Sequence, residues 1–268
     1  MSSDSTATTT SAGWYPDPGG PGRLLRYWDG ATWTTHTHDP ASLRLNSAPR
    51  GYRPPLGPGF AELGRAVQIL LRLCAVMFGG SAVLHAWGVV LLGGWAHDPA
   101  GADAAAARAW DMVDMAAGAA TWLALLGTVV TFLVWFHQAF TCDRVNPVRL
   151  CDQPKWAVWG WLVPFVALVK PPDMTADLWH ASAPVAPGEP VATTAPGPRI
   201  VTTWWALWLG GMFLEWLSTL MGNGEEIGQI VAGLAVRCAG DLLLIGAALL
   251  LSRVVRRISD NLLLPRQG

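Results

Sequence analysis

The chain has 268 residues, of which 51% are hydrophobic and only 14% are charged. Soluble domains are about a quarter charged, and here long segments carry no charge at all, which is typical of an integral membrane protein. The net charge of −1 gives no indication of a nucleic-acid partner. The four cysteines show no metal-binding spacing, so no metal site is predicted. We expect free thiols, because the linker that carries Cys142 and Cys151 should face the reducing cytosol. No cofactor is predicted.

The N-terminal region is polar and short. Residues 1–12 are rich in Ser and Thr and are expected to be disordered. In residues 13–40, two aromatic segments flank Asp29-Gly30, a pair that favours a β-hairpin turn. We therefore predict a small β-hairpin module over 13–40 and a Pro/Gly-rich linker over 41–62. The aromatic face of this module is predicted to comprise Trp14, Tyr15, Tyr27, Trp28 and Trp33.

Residues 63–265 are predicted to form a multi-pass membrane domain. Residues 73–95 and 115–140 contain no Asp, Glu, Lys or Arg, and each is long enough for a spanning helix. The residues between them, 96–114, are predicted to form a loop. Two later segments, 200–221 and 227–252, are also apolar and are separated by a tight turn.

The apolar segment 156–169 is too short for a regular crossing. Its 14 residues would cover about 21 Å as a helix, against about 30 Å of hydrocarbon. Pro164 interrupts it, and Lys170-Pro171-Pro172 is expected to end it. Asp173 then favours the N-cap of a short amphipathic helix. Whether residues 156–169 cross the membrane is left open by length alone.

The distribution of basic residues favours four crossings. Lys and Arg are enriched in cytoplasmic loops. If residues 156–169 do not cross, sixteen of the eighteen basic residues lie on one side and only Arg108 on the other. We therefore predict an all-α integral membrane bundle of about four transmembrane helices. It would carry one short re-entrant or interfacial helix and have both termini in the cytoplasm.

Few charges occur inside the predicted spans. A charge at mid-membrane costs about 2.5–3.5 kcal/mol, so such residues usually face the bundle or water. We predict a buried cluster of Glu215, Arg237 and Asp241, serving either as a structural polar group or as an ion path or anionic-ligand site. His85, midway along the first span, is either a hydrogen-bonded packing residue or a proton relay.

No enzyme signature is present: GxSxG, HExxH, Walker and GxGxxG motifs do not occur. The leading interpretation is a non-enzymatic scaffold or sensor with a cytoplasmic interaction module. Its partners would be the lipid bilayer and a protein that contacts the module. The alternative is a small ion-coupled transporter or channel that uses the predicted Glu/Arg/Asp cluster.

Two stretches resemble known families. GWYPDP followed by RYWDG and TW resembles the actinobacterial module called domain of unknown function 2510. Residues from about 65 to 263 resemble the actinobacterial membrane family called domain of unknown function 4328, through VWFHQAF, WAVWGWLVPFVALVKPP, DLWHAS and WWALWL. The resemblance implies a multi-pass protein of the bacterial cytoplasmic membrane and brings no assigned activity.

Overall fold

The protein is represented by a computed structural model, which describes residues 13–19, 24–38, 53–184, 197–222 and 226–265. The chain divides into two compact units, residues 1–53 and residues 54–268. The predicted disorder over 1–12 and most of the predicted linker over 41–62 lie outside the described residues.

The N-terminal unit contains a three-stranded antiparallel sheet. Its strands are β1 (Gly13–Pro16), β2 (Leu25–Trp28) and β3 (Trp33–His38), in the order β1-β2-β3. Strands β2 and β3 form the predicted hairpin, and the Asp29 N–H donates to the Thr32 carbonyl oxygen across its turn (3.2 Å). Gly30 has a φ of +101°, which explains why glycine follows Asp29.

Strand β1 was not predicted, and it turns the hairpin into a sheet. It pairs with β2 from Gly13–Trp28 to Pro16–Leu25. Two strands alone are only marginally stable in water, and a third strand increases the apolar area that the sheet can bury. Even so, every residue of β1 and β2 remains at least partly exposed, so this unit has little core of its own.

The second unit is helical. Its described residues form six α-helices, joined in two places by 3-10 turns at Pro99–Gly101 and Pro147–Arg149. The helices are α1 (Phe60–His97), α2 (Ala104–Thr141), α3 (Trp156–Leu162), α4 (Val166–Ala181), α5 (Arg199–Gly222) and α6 (Ile227–Leu263).

Three of these helices, α1, α2 and α6, are long and apolar enough to cross a membrane. At 37 or 38 residues each, they would measure about 56 Å and extend beyond a hydrocarbon core of about 30 Å. Helix α5 has 24 residues, four of them tryptophan, and does not reach the same hydropathy. By length and hydropathy, three helices qualify as membrane spans, against the four crossings predicted from the sequence.

The predicted loop over 96–114 is wrong. Helix α1 continues to His97, α2 begins at Ala104, and only a short connection lies between them. The Asp103 carboxylate caps α2 by accepting from the Ala105 N–H (2.7 Å). Four alanines follow, and alanine has the highest helix propensity. Helix α1 also begins at Phe60, so its first three residues fall within the predicted linker over 41–62.

The predicted helix start at Asp173 is also wrong, because the chain breaks earlier. Pro164 holds Val163 extended, and Phe165 adopts a φ of +64° before α4 begins. Pro171 and Pro172 then lie inside α4. Proline removes a helical hydrogen bond to the carbonyl four residues earlier. The Leu168 carbonyl, which Pro172 leaves without that bond, accepts from Trp205 Nε1 instead (2.9 Å).

Helix α6 is the central helix of this unit and packs along both α1 and α5, while α2 packs on α1. The main core takes buried residues from all six helices, and we call it the aromatic core. Its large rings are Phe132, Trp135, Phe136, Phe140, Trp161 and Trp204.

The connection after α2 contacts both ends of the helical unit. The Asp143 N–H donates to the Pro54 carbonyl, just before α1 (3.0 Å). Arg144 Nη1 donates to the Leu264 carbonyl, just after α6 (3.0 Å). The residues that enter and leave the helical unit therefore lie at the same end of the bundle as the 142–146 connection.

Candidate functional site

Five ionisable side chains from four helices meet in the half of the bundle away from the 142–146 connection. We call them the charge network. Helix α1 contributes His85, α2 contributes Asp114, α5 contributes Glu215, and α6 contributes Arg237 and Asp241. Each long helix of the unit therefore supplies at least one member.

His85 lies between two carboxylates. Its Nδ1 is 2.7 Å from Asp241 Oδ2, and its Nε2 is 3.0 Å from Asp114 Oδ1. The side chains of His85 and Asp241 are 1% and 4% exposed. A neutral imidazole has only one N–H, so satisfying both contacts requires a second proton on the ring or one on a carboxyl. The contacts between α1, α2 and α6 therefore require one proton more than a neutral imidazole carries.

Arg237 of α6 joins α5 to this group. Its Nε donates to Glu215 Oε2 (3.2 Å), and its Nη1 lies 3.7 Å from Asp114 Oδ2. These three side chains are each between 20% and 39% exposed. The network holds three carboxyl groups, one guanidinium and one imidazole, so acidic groups outnumber basic ones.

Close packing of α5 on α6 places Glu215. A Cβ added to Gly240 would lie 3.1 Å from Glu215 Oε1 and 3.3 Å from the Gly211 carbonyl oxygen. Glycine at this position therefore lets the Glu215 carboxylate lie against the α6 backbone. Oε1 is buried and has no hydrogen-bond partner among the residues that the structure describes.

The depth of the network follows from helix geometry. Asp114 is ten residues from the start of α2, and Arg237 is ten residues from the start of α6. At 1.5 Å per residue, each lies about 15 Å from its helix end.

Among the described residues, no group of three His, Cys, Asp or Glu side chains is suited to hold a metal ion.

The structure brings together every polar residue that the sequence singled out within the predicted spans. Glu215 pairs with Arg237 as predicted, whereas Asp241 contacts His85 on α1. Asp114 was missed because it fell in the predicted 96–114 loop. The Asp103 cap followed by four alanines is the sequence signal that places it on a helix.

The predicted single aromatic face of the β module is wrong, because its five aromatic residues divide between two faces. Neighbouring strand residues point to opposite sides. Trp14 pairs with Tyr27 on one face, with ring centroids 5.3 Å apart. On the other face, Trp33 contacts Trp28 at 5.2 Å and Tyr15 at 6.2 Å. Trp33 is 42% exposed, so the second face is the more accessible one.

An ion pair fixes the end of β1 to β2. Asp17 accepts from Arg26 Nε (2.8 Å) and Nη2 (3.1 Å), a bidentate arrangement. The Arg26 guanidinium lowers the pKa of Asp17, and Asp17 in turn raises the pKa of Arg26. Backbone N–H groups of Thr32 and Ala31 lower the pKa of Asp29 in the hairpin turn.

Comparison with known families covers both units. The model described as Domain of unknown function (DUF4328) matches residues 98–260, and the model described as Protein of unknown function (DUF2510) matches residues 12–44. The first match contains four members of the charge network; His85 precedes it. Neither the curated proteins nor the solved structures contain a match. Because the first match covers more than half of the chain, this protein belongs to the DUF4328 family.

Proposed function

We propose that this protein is a non-enzymatic scaffold or sensor of the bacterial cytoplasmic membrane. Four helices, α1, α2, α5 and α6, cross the bilayer in this proposal. Both termini lie in the cytoplasm, where the β module contacts a protein partner. The charge network holds the four crossing helices together. The observation that carries the proposal is that this network takes side chains from all four helices.

The contacts of the 142–146 connection support an even number of crossings. Asp143 contacts Pro54 before α1, and Arg144 contacts Leu264 after α6. Three crossings would leave Pro54 and Leu264 on opposite sides of the membrane. A fourth crossing by α5 puts both on one side. The tryptophans of α5 lower its hydropathy, yet tryptophan is enriched at membrane interfaces.

The α3–α4 hairpin fits a re-entrant element in the cytoplasmic half of the bilayer. Helix α3 has 7 residues and would reach only about 10 Å. The chain then turns at Phe165, a residue that is 84% exposed, as expected for a lipid-facing tip. Trp161, in α3, packs instead into the aromatic core. Irregular backbone at membrane depth needs such protein contacts.

Direct contacts within the network favour a scaffold. Removing one member of a buried ion pair leaves an uncompensated charge and strongly destabilises a fold. The apolar pocket between the helices near Cys74 and Trp204 has a volume of about 30 Å³, far below the range of about 300–1,000 Å³ for small-molecule sites. Such packing is suited to holding helices in place.

A proton or cation transporter is the second candidate. The excess of carboxyl groups, the partial exposure of Asp114 and the buried Glu215 Oε1 favour it. Intramembrane carboxylates and histidines form proton relays in pumps and transporters. The same side chains would then bind the coupling ion.

Flux measurements on the full-length protein in proteoliposomes distinguish the two candidates. For a scaffold, proton and sodium flux should match that of protein-free liposomes. Flux above that level would contradict the scaffold, provided that Asp241→Asn abolishes it while the variant remains folded. Arg72→Gln is the matched control, because it removes an exposed charge outside the network.

A further inference from the structure

A second group of arginines lies near the end of α6, beyond the apolar residues 242–252. Arg253, Arg256 and Arg257 line an open pocket between α6, Trp179 of α4 and Ile200 of α5. Its volume of about 430 Å³ is within the range of about 300–1,000 Å³ for small-molecule sites. This arginine pocket is separate from the charge network, since Arg253 is twelve residues from Asp241, about 18 Å along the helix.

Within the part of the chain that the structure describes, the three guanidinium groups have no ion-pair partner. Arg253, Arg256 and Arg257 make no ion pair with any described residue, and all three are exposed. Their spacing of three and four residues places Arg253 beside the other two, and like charges at this spacing repel each other. Asp260 is the one acidic side chain in the pocket lining. The pocket therefore has two more positive than negative groups.

One wall of the pocket is apolar and orders an arginine. The Arg257 guanidinium carbon lies 4.2 Å from the centroid of the Trp179 ring, a cation–π contact. Such a contact holds the guanidinium in place while its N–H groups remain available. Ile200 adds a second apolar surface. A ligand for this pocket would combine an anionic group with an adjoining apolar part.

We infer that the arginine pocket binds the phosphate headgroup of an anionic phospholipid. The planar guanidinium group of arginine can donate two parallel hydrogen bonds to the oxygens of one phosphate. Basic pockets between membrane helices on the cytoplasmic side are suited to anionic lipid headgroups. The position just past an apolar segment, with Trp179 and Ile200 alongside, favours a lipid over a soluble phosphate compound. The inference rests on the membrane placement of α6 in the proposed function, and the flux assay tests the scaffold role separately.

Native mass spectrometry of the full-length protein in detergent tests this inference. The probes are phosphatidylglycerol, the zwitterionic phosphatidylcholine and soluble glycerol 1-phosphate. We expect phosphatidylglycerol to bind at least tenfold more tightly than either of the other two. Arg256→Gln should weaken that binding about tenfold, because it removes a charge-assisted hydrogen bond. Arg253→Gln supplies a second variant in the same pocket.

Arg72→Gln is the matched control. It removes one exposed arginine at a similar depth, since Leu71 and Leu251 line a common void. Its phosphatidylglycerol affinity should equal that of the unmodified protein. Equal loss in Arg72→Gln and Arg256→Gln would overturn the pocket in favour of general charge attraction. Glycerol 1-phosphate binding as tight as the lipid's, with the same dependence on Arg256, would overturn the lipid as the ligand.

Discussion

Helix α6 carries arginines in two settings that differ in their partners. Arg237 contacts Glu215 and Asp114, two carboxylates on other helices. Arg253, Arg256 and Arg257, farther along the same helix, make no ion pair with any described residue. A guanidinium inside the bilayer requires compensation for its lost hydration, whereas one at the surface is hydrated by water. In the proposed function the paired arginine stabilises the fold, and the unpaired arginines are available to a ligand.

Replacing His85 should give the largest loss of stability. His85→Leu leaves Asp114 and Asp241 facing an apolar side chain in a buried site. Removing one partner of a buried pair typically costs about 3–5 kcal/mol. We expect a large fall in the folded, monodisperse fraction in detergent, measured by size-exclusion chromatography and thermal unfolding.

His97→Leu is the control for this loss. His97 lies at the end of the same helix, is exposed and contacts only the Gly93 carbonyl oxygen among the described residues. Its replacement should change stability by less than about 0.5 kcal/mol. Equal behaviour of the two histidine variants would show that the network does not stabilise the bundle.

The Glu215–Arg237 pair should show strong coupling. Glu215→Gln leaves Arg237 with only the longer contact to Asp114, and Arg237→Gln leaves Glu215 without its cationic partner, so each should lower the folded yield. The double variant should recover much of that loss, because two neutral amides can hydrogen-bond each other. A double-mutant cycle should give an interaction free energy of about 1–3 kcal/mol. Additive losses would mean that the two side chains act independently.

The ion pair of Asp17 and Arg26 in the β module gives a smaller, pH-dependent effect. Arg26 lowers the pKa of Asp17 in the folded module from an unfolded value of 3.8. The pair therefore stabilises the module above that value, and the stabilisation is lost as the pH falls through the folded pKa.

An isolated fragment of residues 1–60 tests this dependence by NMR. We expect dispersed amide shifts at pH 7 that collapse on acidification below about pH 4. In Asp17→Asn the collapse should depend less on pH. A fragment without dispersed shifts at pH 7 would mean that the module does not fold alone.

Removing an unpaired arginine should have the smallest effect. Arg253→Gln eliminates repulsion with its neighbours and breaks no ion pair with a described residue. The free energy of unfolding should change by less than about 0.5 kcal/mol, in contrast to Arg237→Gln. Thermal unfolding of the two variants in the same detergent makes this comparison. A loss at Arg253 as large as that at Arg237 would remove the distinction between the two settings.

Local sequence signals predicted which helices and strands form better than they predicted the residues at which these begin and end. Asp29-Gly30 identified the hairpin, and charge-free segments identified α1 and α2. Strand β1 was missed because it begins with Gly13, ends with Pro16 and is followed by Pro18 and Gly19. The residues 104–114 were assigned to a loop because they carry charge, although their alanines favour helix. That assignment removed Asp114 from the predicted cluster.

Contacts between residues far apart in the chain could not be predicted from the sequence. His85 and Asp241 are 156 residues apart, and nothing in their local sequence pairs them. The course of α4 across two prolines depends partly on Trp205, a residue of another helix. The Glu215–Arg237 pair was predictable because a tight turn joins α5 to α6, so positions on the two helices correspond by counting residues from that turn.

The most direct test of the four-crossing arrangement is the side of the membrane on which each connection lies. A reporter active only outside the cytoplasm should give signal when fused after Asp103 or inserted at Gly224, between α5 and α6. The same reporter should give no signal at Gly268. Signal at Gly268 would mean an odd number of crossings and would contradict the proposed arrangement. Absence of signal at Gly224 would mean that α5 does not cross.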